Sequence, residues 1–600
     1  MKAKNTILYY LSAVIIILLM YSSMIFADDP VMREIIVTSQ RSGKFLNSSG
    51  SGTVIFDRDD ISALNAGSIS ELLQAIPSID LSERGTPGSQ IDPSLRGSSF
   101  EGVLVLVNGV SIRDPQTGHF TMDIPVDIRS IERVEVLPGG GSTLYGSSAI
   151  GGVVNIVTTS GTHGVDGVVS AGSYGTTAVS AGFGLKMVGT DAAVRLRSGR
   201  SDGDMPGTDG SFVGVDASGT VDVGGVLIDW NAGMLDKEFG AEGFYAPYSS
   251  FEKVKTYLAG INARFLPGPK SMVRLRAGAR GHGDDFILDR GNPSFYRNTH
   301  YNRSYIVSSE YTVQVTESSV ALAGVESALS GITSGSLGSH TDRNDAVYGE
   351  ISGLLEKFGY SLSLRYDTGI ADDPTFTYGA GLDIPLTQTI NFRLRTEKSF
   401  RSPTYTELYY LSPANLGNEH LKSEHSRSLE TGIDVTGNLL HCGLSLFSRK
   451  SNDVIDWIRV DDVSPWKAEN HGSVMTYGGE LRGRTTFKRG WTLNLAAQLL
   501  DQTVDSRKGI KSKYVLNPQT ATVSGSLTGV KLAWLTWAML VRYEEMLQGD
   551  SRTPITLSCT RKFNDVTAVV SVRNLMNERY DEIPGLRAPG QWFTFRLEYR

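Results

Sequence analysis

From about Gly161 onward the chain consists of short runs in which apolar and polar residues alternate, broken by Gly, Asp, Asn and Ser. In AVRLRSGR, Val194 and Leu196 alternate with Arg195 and Arg197. In SMVRLRAGAR, Val273 and Leu275 alternate with Arg274 and Arg276, and in NFRLR, Phe392 and Leu394 alternate with Arg393 and Arg395. A period of two is the period of a strand, so each run predicts a strand with one apolar and one charged face. The last such run sets Phe593, Phe595, Leu597 and Tyr599 against Thr594, Arg596 and Glu598. A soluble sandwich turns polar faces outward, whereas a transmembrane barrel turns them into its lumen and offers the apolar and aromatic face to lipid. Length favours the barrel: roughly 440 residues at ~20 per strand and connection make about 22 antiparallel strands, a lumen wide enough to need filling.

The N-terminal part, from about 45 to 158, has a different texture. Ile69, Leu72, Leu73 and Ile76 share one face of a predicted helix, with Ser68 and Glu71 as a capping-box pair and Pro77 as its stop. Val103 to Val107 is uniformly apolar and predicts a strand buried on both faces. In IERVEVLPGGGSTLYGSSAIGGVVNIVT, Ile131 to Thr158, two strands flank Gly139, Gly140 and Gly141, and Gly151 and Gly152 follow. Such glycines permit backbone angles and close approaches that a side chain obstructs. The spacing matches neither dinucleotide nor phosphate-loop fingerprints. These residues predict a separate small α+β domain, residues 45–158, preceding a barrel over 159–600.

Ahead of that domain, Lys2 and Lys4 precede an apolar run from Ile7 to about Phe26, the order of a secretory signal peptide ending near Ala27. REIIVT, Arg33 to Thr38, is then a short strand on a polar, Gly- and Ser-rich tether, residues 28–44, suited to joining the edge of a partner's sheet. With 40% hydrophobic residues, a helical membrane bundle is excluded, but a barrel is not. The formal net charge of -7 argues against a nucleic-acid partner. Cys442 and Cys559 lie far apart in strand-like segments, and buried or lipid-facing thiols are expected.

The Ile131–Thr158 segment, together with LRGSSFEGVLVLVNGVSIRDPQTGHF from Leu95 to Phe120, closely resembles the plug of TonB-dependent outer-membrane receptors. FRSPTYTELYYL with GNEHLKSEHS, and VRNLMNERYDEIPG, resemble blocks of that family's barrel. The resemblance implies an all-β transmembrane barrel with an N-terminal α+β plug inside its lumen, in the outer membrane of a Gram-negative bacterium, working as a monomer. It also implies a ligand-gated transporter rather than an enzyme. Glu34, Ile35, Ile36, Val37 and Thr38 match the TonB box, which implies TonB, with ExbB and ExbD, as partners. RDPQTGHF most resembles the cobalamin (vitamin B12) branch, with an iron siderophore or haem as the alternative ligand. No required cofactor is implied.

A ligand site should join concave aromatic surface to a few polar groups. On the plug, Arg84, Gln90, Gln116, Thr117, His119 and Phe120 are candidates. On the barrel loops AEGFYAPY and DRGNPSFYRNTHYNR the candidates are Phe244, Tyr245, Tyr248, Phe295, Tyr296, Asn298 and Tyr301. In RSDGDMPGTDG, Asp202, Asp204 and Asp209 are candidates for Ca²⁺, a cation held by several oxygens on an adaptable backbone, although the spacing is not that of an EF-hand. His420, Glu424 and His425 do not match zinc-enzyme spacing. No nucleophile elbow or paired-carboxylate arrangement emerges.

Overall fold

The computed structural model describes residues 52–76, 78–159, 164–244, 248–369, 374–487, 490–505, 509–514, 519–546, 551–583 and 585–600. The predicted signal peptide, Glu34 to Thr38, Pro77 and Tyr245 lie outside them.

Twenty-two long antiparallel strands close into a barrel, the first, Gly164–Gly172, pairing with the last, Trp592–Tyr599. Alternation sets its two faces as the sequence predicts. Leu196 is 60% exposed while its neighbour Arg195 is 2% exposed, and Arg274 and Arg393 are likewise buried beside exposed Leu275 and Leu394. Phe593, Phe595, Leu597 and Tyr599 all face outward. Tight turns at one rim, such as 188–189, 224–225 and 269–270, alternate with longer connections at the other, such as 402–423 and 574–591. In outer-membrane barrels the long loops face outward from the cell and the short turns face the periplasm.

Inside the wall sits a five-stranded mixed sheet in the order β1 (Val54–Asp57), β6 (Ile131–Pro138), β7 (Gly152–Thr158), β4 (Val103–Val107), β5 (Val110–Ser111). A separate hairpin is formed by β2 (Ile79–Arg84) and β3 (Gln90–Leu95). All five residues of β4 are buried, as their uniform apolarity requires. Helix α2 (Ile69–Gln74) packs Leu72 and Leu73 into the core with Ile79, Val105 and Val136. Ser68 caps it by accepting from Glu71 N at 3.2 Å, but the reciprocal half of the expected capping box is absent. Glu71 reaches past Ser68 and accepts from Gly67 N at 2.6 Å. The full capping box belongs instead to a helix the periodicity did not reveal, α1 (Arg58–Leu64), between Asp57 and Asp60. Its seven residues are too short for an apolar stripe to register, and only Ile61 is buried.

The glycine cluster is explained by proximity. A Cβ on Gly140 would collide with Ser399 Oγ and fall 2.9 Å from the Glu397 carboxyl on the wall. One on Gly152, at φ +153°, would collide with the Leu137 carbonyl oxygen. The plug is held by charge as well as shape. Arg96 donates through Nη1 to Glu430 at 2.7 Å, and through Nε and Nη2 to Glu480 at 2.9 and 2.7 Å, while lying over the Phe447 ring. Further plug-to-wall pairs join Asp123 to Lys237, Glu83 to Arg573, and Asp114 to Arg280. A polar lumen wall thus finds its counter-charges on the domain that fills it, as the cost of unpaired buried charge demands.

Candidate ligand-binding face

Two plug connections reach the long-loop rim: residues 85–89, between β2 and β3, and residues 112–127. Each is fastened to the wall. Thr86 donates to the Thr208 carbonyl, and Lys237 Nζ donates to Gly88 O at 3.3 Å. Arg113 Nη2 donates to Ser402 O at 2.9 Å. The backbone N–H groups of Tyr405 and Thr406, at the start of a short helix (Tyr405–Tyr409) in the loop above, donate to Pro115 O and Gln116 O at 2.9 and 3.1 Å. Gln116 also accepts from Asn302 at 2.6 Å. The second connection therefore hangs directly from an outer loop.

Four of the sequence candidates meet in one cluster. Asp92 accepts from Arg84 Nη2 at 3.0 Å on one oxygen and lies 2.8 Å from His119 Nδ1 on the other. The His119 ring stacks on Phe100 with centroids 4.3 Å apart and meets Tyr514 edge-on at 6.0 Å. Thr117 caps the turn that carries His119 and donates to Glu101 at 3.3 Å, while Gly118 N donates to the same Glu101 oxygen at 2.7 Å. Burial alone would raise the Asp92 carboxyl, but His119 and Arg84 outweigh it and hold the group below the usual carboxylate range. Burial lowers the His119 imidazole in spite of Asp92. Burial, reinforced by Glu407, pushes Glu101 up to about 7. Gln90 is buried in β3 beside this cluster.

Other candidates serve to hold the assembly together. Phe120 and Phe244 turn away from solvent into a cluster with Phe239, Ala241, Val254 and Leu586, which cements plug to loop. Asn298 is buried, its Nδ2 2.5 Å from Ser336 Oγ. Tyr301 stands in the outward row of its strand, 66% exposed, on the opposite side of the wall from the lumen and not in a loop. Tyr248 and Phe295 are exposed at the rim with centroids 5.9 Å apart. Tyr296 bonds to the Tyr410 hydroxyl at 3.4 Å.

Tyr410 leads to a group that was not singled out from the sequence. His340 lies flat on Tyr409 at 3.5 Å, and Tyr405 stacks beyond it at 6.1 Å. The three tyrosines of PTYTELYYL carried the signal, but their convergence with His340 and Tyr296 depends on loops far apart in sequence. Phe100 and Tyr514 are two more such residues. The rim thus combines stacked rings with a small number of fixed polar groups, the composition of a small-molecule site.

The three candidate calcium ligands are not gathered into one. Asp209 pairs with Arg290 at 2.5 Å, and Arg290 in turn lies over Phe251. Among the described residues no group of three or more His, Cys, Asp or Glu is placed to hold a metal ion.

A closed strand wall around an inserted mixed domain, sealed by buried ion pairs and topped by an aromatic rim, defines a plugged transport barrel. Residues 46–153 match the TonB-dependent receptor plug domain, and residues 159–555 match the TonB-dependent receptor-like β-barrel. The chain belongs to the TonB-dependent receptors, outer-membrane barrels of Gram-negative bacteria. Among curated relatives, the vitamin B12 transporter BtuB of Vibrio vulnificus (strain CMCP6) is 24% identical over 470 residues, 75% of each chain. BtuB of Photobacterium profundum is 24% identical over 492 residues, 76% of each. The fold is shared with the siderophore receptor PirA of Pseudomonas aeruginosa, at TM-score 0.73 and 16% identity, over 92% of this chain and 99% of that one. It is shared also with the FrpB iron transporter of Neisseria meningitidis, at TM-score 0.76 and 13% identity, over 92% and 99%.

Proposed function

We propose that this receptor imports cobalamin across the outer membrane. The observation that carries the reading is the match to vitamin B12 transporters over three-quarters of both chains. The rim supports it, since stacked rings such as His340 on Tyr409, together with the polar Asp92–His119 pair, suit a large ligand with a flat ring system and polar edges. In this reading the ligand settles on the rim and on residues 112–127 of the plug. Its occupancy is felt through Tyr405 and Thr406, whose backbone hydrogen bonds hold that connection. TonB then engages Glu34 to Thr38, and energy relayed by ExbB and ExbD remodels the plug until a path opens.

Calorimetry on the purified, detergent-solubilised protein tests the ligand. Cobalamin, with and without Ca²⁺, is compared with ferric siderophores and haem. Tight cobalamin binding is the expected result, and strengthening by Ca²⁺ would bring Asp202, Asp204 and Asp209 into the site. Retention of a ferric chelate with no cobalamin binding would replace the ligand and leave the mechanism standing.

A further inference from the structure

We infer that the outward face of the wall carries a binding site for the phosphate groups of an outer-leaflet glycolipid, formed by Lys398, Arg427 and Lys450.

Strand register places the three side by side. Lys398 in Ile390–Arg401 stands directly across from Arg427 in Glu424–Thr436, and Arg427 stands directly across from Lys450 in Leu440–Arg459. Neighbouring strands lie about 4.8 Å apart, and like charges set directly opposite one another repel. The acids nearest in these strands do not relieve the repulsion. Glu424, Glu430 and Asp434 point through the wall to Arg401 and Arg393, and Glu397 faces Thr143 of the plug. Arg427 and Lys450 are exposed, and among the described residues no ion pair reaches either. Four other cations of the outward face are matched within the sheet: Lys253 with Glu238 at 3.2 Å, Lys255 with Asp236 at 2.9 Å, Arg297 with Asp285 at 2.6 Å and Arg343 with Asp345 at 3.0 Å. The row of three draws its counter-charge from outside the chain.

Height on the wall selects the anion. Lys450 lies ten residues beyond Leu440, where its strand leaves the short turn at the periplasmic rim. At about 3.3 Å per residue and a tilt of about 40° that is a rise of roughly 25 Å, the height of the apolar band of an outer-membrane barrel. Beneath the row the outward side chains Leu394, Leu429, Ile433, Leu444 and Leu446 are all exposed, a surface for acyl chains. Tyr378, across from Lys398, and Tyr477, across from Ser448 just below Lys450, place aromatic rings at the same level, as interfacial girdles do. The cations therefore stand among the headgroups of the outer leaflet. Arg427 offers a phosphate a two-pronged hydrogen-bonding edge, and the lysines add point charges. A free phosphate ion would meet the charge but gain nothing from the leucines under it.

The probe is bisphosphorylated lipid A, titrated by native mass spectrometry into the full-length receptor in detergent and compared with its fully dephosphorylated form and with inorganic phosphate. The phosphorylated lipid should bind saturably, and removal of its phosphates should weaken binding about ten- to thirty-fold, the worth of two cations at an anionic lipid surface. The double variant Arg427→Gln, Lys450→Gln should lose the same factor for the phosphorylated lipid and stay within about two-fold for the dephosphorylated one. Lys253→Gln with Lys255→Gln, at a place where each cation has its own acid, should change neither by more than about two-fold. Arg427→Lys with Lys450→Arg, which keeps the charge, should retain most of the binding and shows that the loss is not a folding defect. Binding indifferent to the phosphates, an unaffected Arg427→Gln, Lys450→Gln variant, or an equal loss in the Lys253 and Lys255 pair overturns the proposal. Inorganic phosphate that displaces the lipid at equal concentration overturns the assignment to a lipid.

Discussion

Arg96 ties the plug to two carboxylates of the wall. Its guanidinium meets Glu480 with two hydrogen bonds and Glu430 with a third, and the side chains of Arg96, Glu480 and Glu430 are 3%, 2% and 11% exposed respectively. Arg96→Ala leaves Glu480 without its bidentate partner and Glu430 with only the longer contact to Arg393, at 3.4 Å, in a site largely closed to water. Removing one partner of a buried pair costs about 3–5 kcal/mol. At 1.36 kcal/mol per decade this is roughly two to three and a half decades in the plug's opening equilibrium. Pulse proteolysis of the purified receptor across a urea series reads that equilibrium, since the wall resists cleavage while an unseated plug does not. The variant should open at much lower urea, and the triple variant Arg96→Met, Glu430→Gln, Glu480→Gln should recover most of the loss because no charge is then stranded. A loss below about 1 kcal/mol in Arg96→Ala, the value of an exposed pair, would refute the reasoning.

Three contrasts extend the test. Arg484 is 40% exposed where it meets Asp60, so Arg484→Gln, which leaves the Asp57–Asp60 capping box in place, should shift the same urea midpoint by only about 0–1 kcal/mol. Gly152→Ala forces its Cβ against the Leu137 carbonyl at φ +153° and should destabilise the plug by about 1–3 kcal/mol, read by the same proteolysis. Glu101, raised from its ordinary 4.5 to about 7, keeps in the folded state a proton that the unfolded chain has released. Its contribution is therefore full below pH 4.5 and is lost as pH rises through 7, and Glu101→Gln should flatten that slope in urea midpoints taken from pH 4.5 to 8.

Much of this architecture was legible because it follows from period and composition. Alternation at Val194, Leu196, Leu275 and Leu394 gave the wall and its two faces, and the length gave about 22 strands. The buried strand Val103–Val107 was equally plain. Contacts between distant segments were not. Phe120 and Phe244 read as ligand-facing aromatics because both stand in polar, turn-rich loops, and the two loops in fact close on each other. His119 was visible as a loop histidine, but Asp92 is 27 residues away and Tyr514 sits on a barrel loop, so its tautomer and orientation were not readable. Gly140 suggested a tight turn, whereas its strongest constraint is the opposing wall at Ser399 and Glu397. Alternation specifies which face a residue takes, but not which loop of the closed barrel lies above it.

The central claim is energised cobalamin import, and it is most directly tested by uptake of labelled cyanocobalamin into a Gram-negative host lacking its own receptor. Cells expressing the chain should accumulate the vitamin, and should lose accumulation but not surface binding when residues 34–38 are deleted or TonB is removed. Accumulation that persists without TonB, or none in cells that hold the folded receptor, would contradict the account.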